Sequence, residues 1–198
     1  MAHVIRVATE ADAGQIAEIY APFVSDNAVS FELVPPTASE MAQRVSSALE
    51  RYPWLVSARD GAVTGYAYAS LYLTREAYQW SVDSSVYIHE KHRGQGVGKA
   101  LYTSLFACLR LLGYYNVYAG VTLPNDASVA LHESVGFSPV GVYRHVGYKF
   151  GEWHDVGWWE LALQDRIVDP APPRLAPDAV DSPQWREALA EGERLLRD

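Results

Sequence analysis

Residues 86–100 read Val86-Tyr87-Ile88-His89-Glu90-Lys91-His92-Arg93-Gly94-Gln95-Gly96-Val97-Gly98-Lys99-Ala100. An apolar run enters a basic turn, three glycines follow at alternate positions, and a helical pattern begins. Val97, Leu101, Leu105, Cys108 and Leu112 then step by four, four, three and four, one face of a long helix that Gly113 ends. Glycines let a ligand approach the backbone closely. The first-turn amides of a helix have no intrahelical acceptor and carry the positive end of its dipole. Lys91, His92, Arg93 and Lys99 add positive charge to a chain that is otherwise negative. This segment is expected to bind an anion, a phosphate or pyrophosphate.

Spacing narrows the choice. A Walker loop needs four residues between its glycines, then Lys and Ser/Thr. Here Gly94 and Gly98 enclose three, and Ala100 follows Lys99, so no hydroxyl is placed for magnesium. A dinucleotide fingerprint needs glycine where Lys99 stands, and belongs to a first βαβ unit rather than mid-chain. A phosphate-loop nucleotide enzyme stays open as an alternative, as does a glycine turn that binds nothing.

The rest of the chain is consistent with one α/β domain and an appendage. It has 198 residues, 49% of them hydrophobic and 20% charged, which is globular composition. Its net charge of −8 disfavours nucleic acid and anionic membranes as partners. The single Cys108 excludes an intrachain disulfide and a cysteine-rich zinc site, and its apolar helical setting suits an inert core thiol. No run reaches the ~18 apolar residues of a membrane span. Met1 to Arg6 shows no signal-peptide apolar region, so a reducing, cytoplasmic setting is expected.

Residues 4–8 read as a first strand, and Thr9 caps a helix running to about Pro22. Thr37-Ala38-Ser39-Glu40 is a capping box for a second helix closed by Pro53. Strands follow at 54–58 and 62–73, joined by Asp60-Gly61, and at 81–88. After the long helix come a strand at 115–121, a short helix from Pro124-Asn125-Asp126 to Val135, and two strands at 140–148 and 153–163 turning near Phe150-Gly151. Five prolines between Pro170 and Pro183 mark a linker, and Ser182-Pro183 caps a last helix over 184–196. The division expected is a domain over 1–165 and a tail over 166–198, mobile or docked.

Arg93-Gly94-Gln95-Gly96-Val97-Gly98 resembles the Arg/Gln-x-x-Gly-x-Gly/Ala loop of the GNAT acyl-CoA N-acetyltransferases. Across residues 4–163 the chain is most similar to their phosphinothricin acetyltransferase subgroup. The stretches that carry the likeness include 50–56, 85–88, Leu123-Pro124-Asn125-Asp126, Leu131-His132-Glu133 and 151–157. The resemblance implies an α/β (α+β) fold, a mixed, mostly antiparallel sheet flanked by helices. It implies acetyl-CoA as cosubstrate, no metal, a small amino-acid-like amine as acceptor, and a homodimer. Backbone groups of Val86, Tyr87 and Ile88 would pair with the pantetheine arm, with the Tyr87 amide as oxyanion donor. Arg93, Gly94, Gln95, Gly96, Val97, Gly98 and Lys99 would hold the pyrophosphate, and Asn125 would lie near the pantetheine.

Acetyl transfer to an amine needs a base, because an α-ammonium group loses its proton only near pH 8. Asp83 is the lone carboxylate on the strand leading into the loop, and alternation puts it on one face with Ser85 and Tyr87. The subgroup has glutamate at this position. The shorter aspartate points to proton transfer through a water. A solvent-facing aspartate is the bland alternative. His132 matches the subgroup's second catalytic position, where an imidazole takes a proton or orients another group; a packing histidine is its alternative. Arg75 matches a position suited to an acceptor carboxylate, and Phe31, Tyr78, Ser85, Tyr87 and Val156 would line the rest. Leu73 stands where the subgroup can have lysine, which weakens the case for a doubly anionic acceptor. Two rival activities remain: acetylation of peptide, protein or aminoglycoside amines, and a silent acyl-CoA-binding module.

Overall fold

The computed structural model describes residues 3–196. Seven strands form one sheet: β1 (His3–Val7), β2 (Trp54–Arg59), β3 (Ala62–Leu71), β4 (Ser81–Ile88), β5 (Asn116–Leu123), β6 (Ser138–Lys149) and β7 (Glu152–Ala162). Their order is β1-β2-β3-β4-β5-β7-β6. Every neighbouring pair is antiparallel except β4–β5, which is parallel. The expected mixed, mostly antiparallel sheet with flanking helices is present.

The helices are α1 (Ala13–Ser25), α2 (Ala38–Leu49), α3 (Val97–Leu112), α4 (Asp126–Ser134) and α5 (Pro183–Glu193). Alternation along the central strands builds two cores. Ile5, Leu55, Ala67, Ala69, Val82, Val117 and Ala119 face α3. Trp54, Val56 and Tyr66 face α1 and α2. Strands covered on both faces must be apolar on both, and β2 is buried at five of its six positions.

The caps read for α2 and α5 form, whereas Thr9 heads a 3₁₀ turn over Glu10–Asp12 and α1 begins only at Ala13, with Asp12 at its N-cap. Thr37 accepts from the Glu40 N–H while Glu40 reaches back to the Thr37 N–H, and Asn125 and Ser182 cap α4 and α5. The long helix begins at Val97 and ends at Leu112 with Gly113 left-handed, as its spacing predicts. The end expected near Pro22 is overrun: α1 continues to Ser25. Pro22 removes one N–H from the last turns, and the Asp26 N–H still bonds the Pro22 carbonyl at 3.1 Å.

The tail docks. Trp185 is buried against α3, the Ser104 hydroxyl donates to the Leu189 carbonyl at 2.7 Å, and Glu193 accepts the Ile5 N–H at 2.8 Å. Gly192 is required where α5 crosses α3, because a Cβ there would lie 2.1 Å from the Ala100 carbonyl oxygen. No helix among the described residues is long and apolar enough to cross a membrane.

Candidate active site

β4 and β5 pair over only three rungs, Ser81–Asn116, Val82–Val117 and Asp83–Tyr118. Both strands run on, to Ile88 and Leu123, without further pairing. The sheet therefore opens into a wedge just past Asp83. A cavity of about 60 Å³ lies in the wedge, lined by residues that include Ser85, Val86, Tyr87, Tyr102, Asn125 and His132.

The free edge of β4 supplies its backbone groups. The His89 N–H bonds the Thr64 carbonyl at 3.0 Å, and Tyr66 pairs with Tyr87. Antiparallel alternation then commits the Tyr87 N–H to β3 and turns the Val86 and Ile88 N–H groups toward the wedge. The Tyr87 amide, expected as a donor to the substrate, is thus spent in the sheet, and the Val86 N–H faces the wedge instead. The Tyr87 ring packs between Tyr20, Phe23 and Tyr66.

The glycine loop ends at the mouth of the wedge. Gly94 and Gly96 adopt φ of 72° and 84°, a region closed to most side chains. The amides of residues 94–99 find no hydrogen-bond partner among the described residues. They form a cradle at the start of α3, and unpaired amides at a helix start are suited to an anion. At Gly98 a Cβ would meet Leu131 of α4 at 2.9 Å. Lys91, Lys99 and Gln95 are exposed around the cradle. Arg93 turns away from it, its guanidinium lying 5.0 Å from the Phe23 ring centre and its Nε donating to the Ile88 carbonyl. It braces the loop against α1. Asn125 caps α4 with its side-chain oxygen and keeps its NH₂ for the cavity.

Asp83 sits at the apex of the wedge. Its Oδ1 is buried and accepts no hydrogen bond among the described residues. Desolvation pushes its carboxyl up to about 7. Asp83, Ser85 and Tyr87 share the α1–α2 face of the sheet. Ser84 and Val86 point to the α3 face, the side on which His132 is buried. The His132 Nδ1 lies 2.7 Å from the Ser128 carbonyl, which can only accept, so Nδ1 carries the proton. Nε2 then accepts from the Tyr102 hydroxyl at 2.9 Å. Burial lowers the His132 pKa and keeps the ring neutral. Asp83 and His132 are not hydrogen-bonded to one another.

The expected acceptor residues spread over the Asp83 face. Tyr78 meets the edge of Tyr72, which stacks on Tyr118, the rung partner of Asp83. Arg75 is exposed just before the 76–78 turn. Phe31 lies against Gly147, where a Cβ would come within 2.1 Å of its ring, and tilts over His154. Val156 pairs with Thr122 of β5 and Tyr143 of β6. Sequence reading missed Lys149. Its buried Nζ donates to the Val24 and Ser30 carbonyls, both at 2.6 Å, and so ties the 26–36 loop to the β6–β7 hairpin. A lysine flanked by exposed β6 residues carries no local sign of burial. Tyr102 was missed too, because its helix pattern reads as core.

No group of three or more His, Cys, Asp or Glu among the described residues is placed to hold a metal ion. Cys108 is buried and its thiol pushed up, so it is no nucleophile.

A wedge-opened sheet beside a glycine cradle defines an acyltransferase that draws its acyl group from coenzyme A. The family pattern described as "Acetyltransferase (GNAT) domain" matches residues 5–158, and the chain belongs to that family. It is an acetyl-CoA-dependent N-acetyltransferase. A phosphinothricin N-acetyltransferase of Streptomyces viridochromogenes is 41% identical over 170 residues, covering 86% of this chain and 91% of the relative. A methionine sulfoximine/methionine sulfone acetyltransferase of Salmonella typhimurium is 35% identical over 168 residues, 84% and 98% of the two chains. The crystal structure of a phosphinothricin acetyltransferase from Sinorhizobium meliloti, in complex with acetyl-CoA, superposes with a TM-score of 0.80 at 34% identity, covering 89% and 99%.

Proposed function

We propose that this enzyme acetylates the α-amino group of a small amino-acid-like acceptor by direct attack in a ternary complex. The observation that carries this reading is Asp83, a half-buried carboxylate at the apex of the wedge, with a buried, unpartnered Oδ1 and a pKa raised to about 7. Such a group is ionised often enough at neutral pH to accept a proton and basic enough to take one from an ammonium ion. The activities named for the relatives support an amino-acid-like acceptor.

Acetyl-CoA supplies the activated acyl group. The amides of residues 94–99 would hold its pyrophosphate, and the free Val86 and Ile88 edge would align its arm. The Val86 N–H would stabilise charge on the carbonyl oxygen. Asp83 would take the amine proton, directly or through one water. The Tyr102 hydroxyl spends its one proton on neutral His132, and burial pushes this phenol up, so the His132–Tyr102 pair would shape the cavity wall rather than protonate the leaving sulfur. Arg75 would meet the acceptor carboxylate. The exposed Val140, Val142, Tyr143, Tyr148 and Trp153 on the β6–β7 hairpin support a homodimer, and the lone buried thiol suits the cytoplasm.

The test is thiol release from acetyl-CoA with free amino acids, polyamines, aminoglycosides and peptide amines in competition. Free amino acids should be acetylated fastest, and Asp83→Asn should abolish most of the rate. Preference for a polyamine or peptide, or no release with any amine, overturns the reading.

A further inference from the structure

Between α2 and strands β2–β3 lies a recess of about 260 Å³, lined by Tyr20, Met41, Arg44, Ala48, Trp54, Tyr66, Tyr68 and Ser70. It opens on the same face of the sheet as the base. Ser70 is the direct cross-strand partner of Asp83, and Tyr68 of Ser85. Directly paired side chains on one face have Cβ atoms ~5 Å apart. A ligand whose amine meets Asp83 therefore reaches the recess with its next few atoms.

The walls are aromatic and apolar. Trp54 stacks on Tyr68 with ring centres 4.1 Å apart, and Tyr66 continues the stack at 5.7 Å from Trp54. Met41 and Ala48 close the helix side. Arg44 is the one cation of the lining, and it is already paired. Its Nη1 and Nη2 donate to the two oxygens of Glu32 at 2.7 and 2.9 Å, and the Tyr20 hydroxyl donates to the same carboxylate at 2.9 Å. A second anionic group entering the recess would meet a neutralised guanidinium and a nearby carboxylate. It would lose its hydration without gaining a partner.

We propose that this recess is the side-chain subsite of the acceptor, and that it selects amino acids with uncharged apolar side chains: thioether, branched aliphatic or aromatic. The inference rests on the reading of the enzyme as an amino-acid acetyltransferase and deepens it. It assigns Trp54, Tyr68 and Ala48 as specificity-determining residues. Sulfur and aromatic groups gain further from the Trp54–Tyr68 wall.

The experiment compares kcat/KM for L-methionine, L-leucine, L-phenylalanine, L-alanine, L-glutamate and phosphinothricin at saturating acetyl-CoA. The parent enzyme should favour the first three over L-glutamate by at least about a hundredfold, and over phosphinothricin by about tenfold. Ala48→Leu and Ala48→Phe fill the recess. They should lower the methionine-to-alanine ratio of kcat/KM by at least about tenfold, through KM for the acceptor, with KM for acetyl-CoA unchanged. Should the bulkier variant not fold, Ala48→Leu and the parent's ranking still decide. Phosphinothricin outpacing methionine in the parent, or a methionine-to-alanine ratio that ignores both fillings, overturns the subsite while leaving amino-acid acetylation intact. Release of thiol with no free amino acid overturns both, and calorimetric acetyl-CoA binding then shows that the protein is folded.

Discussion

Asp83 and Tyr118 form the last paired rung between β4 and β5. Beyond it β4 has only one hydrogen-bonded neighbour. The free edge, the cavity and the desolvated carboxylate all follow from that one point of separation. A carboxylate is thereby placed at the narrow end of the wedge, where its Oδ1 is buried and gains no partner among the described residues.

The pH profile should report Asp83. Its raised pKa predicts that kcat rises with pH through about 7 and then levels. Asp83→Asn should lower kcat at pH 8 by about 10²–10⁴-fold and remove that limb. His132 is buried neutral, so His132→Gln should lower activity without erasing the limb. A pH–rate series on the three proteins checks this.

Stability should move the other way. A carboxyl raised in the folded state binds more protons there than in the unfolded chain between pH ~4 and ~7, so stability falls as pH rises across that window. Above pH 7 the ionised Asp83 is a fixed cost of roughly 2 kcal/mol, after allowing for its partial exposure. We expect Asp83→Asn to melt several degrees above the parent at pH 8 and to lose that advantage at pH 4. Thermal unfolding at the two pH values measures it.

Gly96→Ala should weaken acetyl-CoA binding. Its φ of 84° strains any L side chain by about 1–2 kcal/mol, and the loop would shift its amides to relieve it. A Kd raised about tenfold, with the fold retained, is the expected calorimetric result.

Lys149→Met should cost roughly 3 kcal/mol, because two buried carbonyls lose a charged donor. The 26–36 loop should loosen with it. KM for the acceptor should rise while KM for acetyl-CoA holds, since the cradle lies elsewhere. Steady-state kinetics with each substrate varied in turn distinguish the two.

Much of this was legible in the chain. The cradle, β4 and α3 were readable because each is specified by residues a few positions apart: glycines at alternate sites, apolar steps of three and four, a run of eight strand residues. Asp83 was readable as the lone carboxylate on its strand. Its raised pKa was not, because desolvation is set by strands and helices far away in sequence. The same holds for Lys149, whose bonds span more than a hundred residues. The ladder commits the Tyr87 N–H to β3 and leaves that of Val86 facing the wedge, a one-residue choice that only strand pairing makes.

By itself, then, the sequence determined most elements, the caps of α2 and α5 and the glycine loop, since each depends on local periodicity and backbone freedom. Tertiary structure alone decided where the sheet parts, which amides stay unpaired, that Arg44 is neutralised by Glu32, and that Asp83 loses its water. Those are properties of groups brought together from distant segments, and no local pattern encodes them.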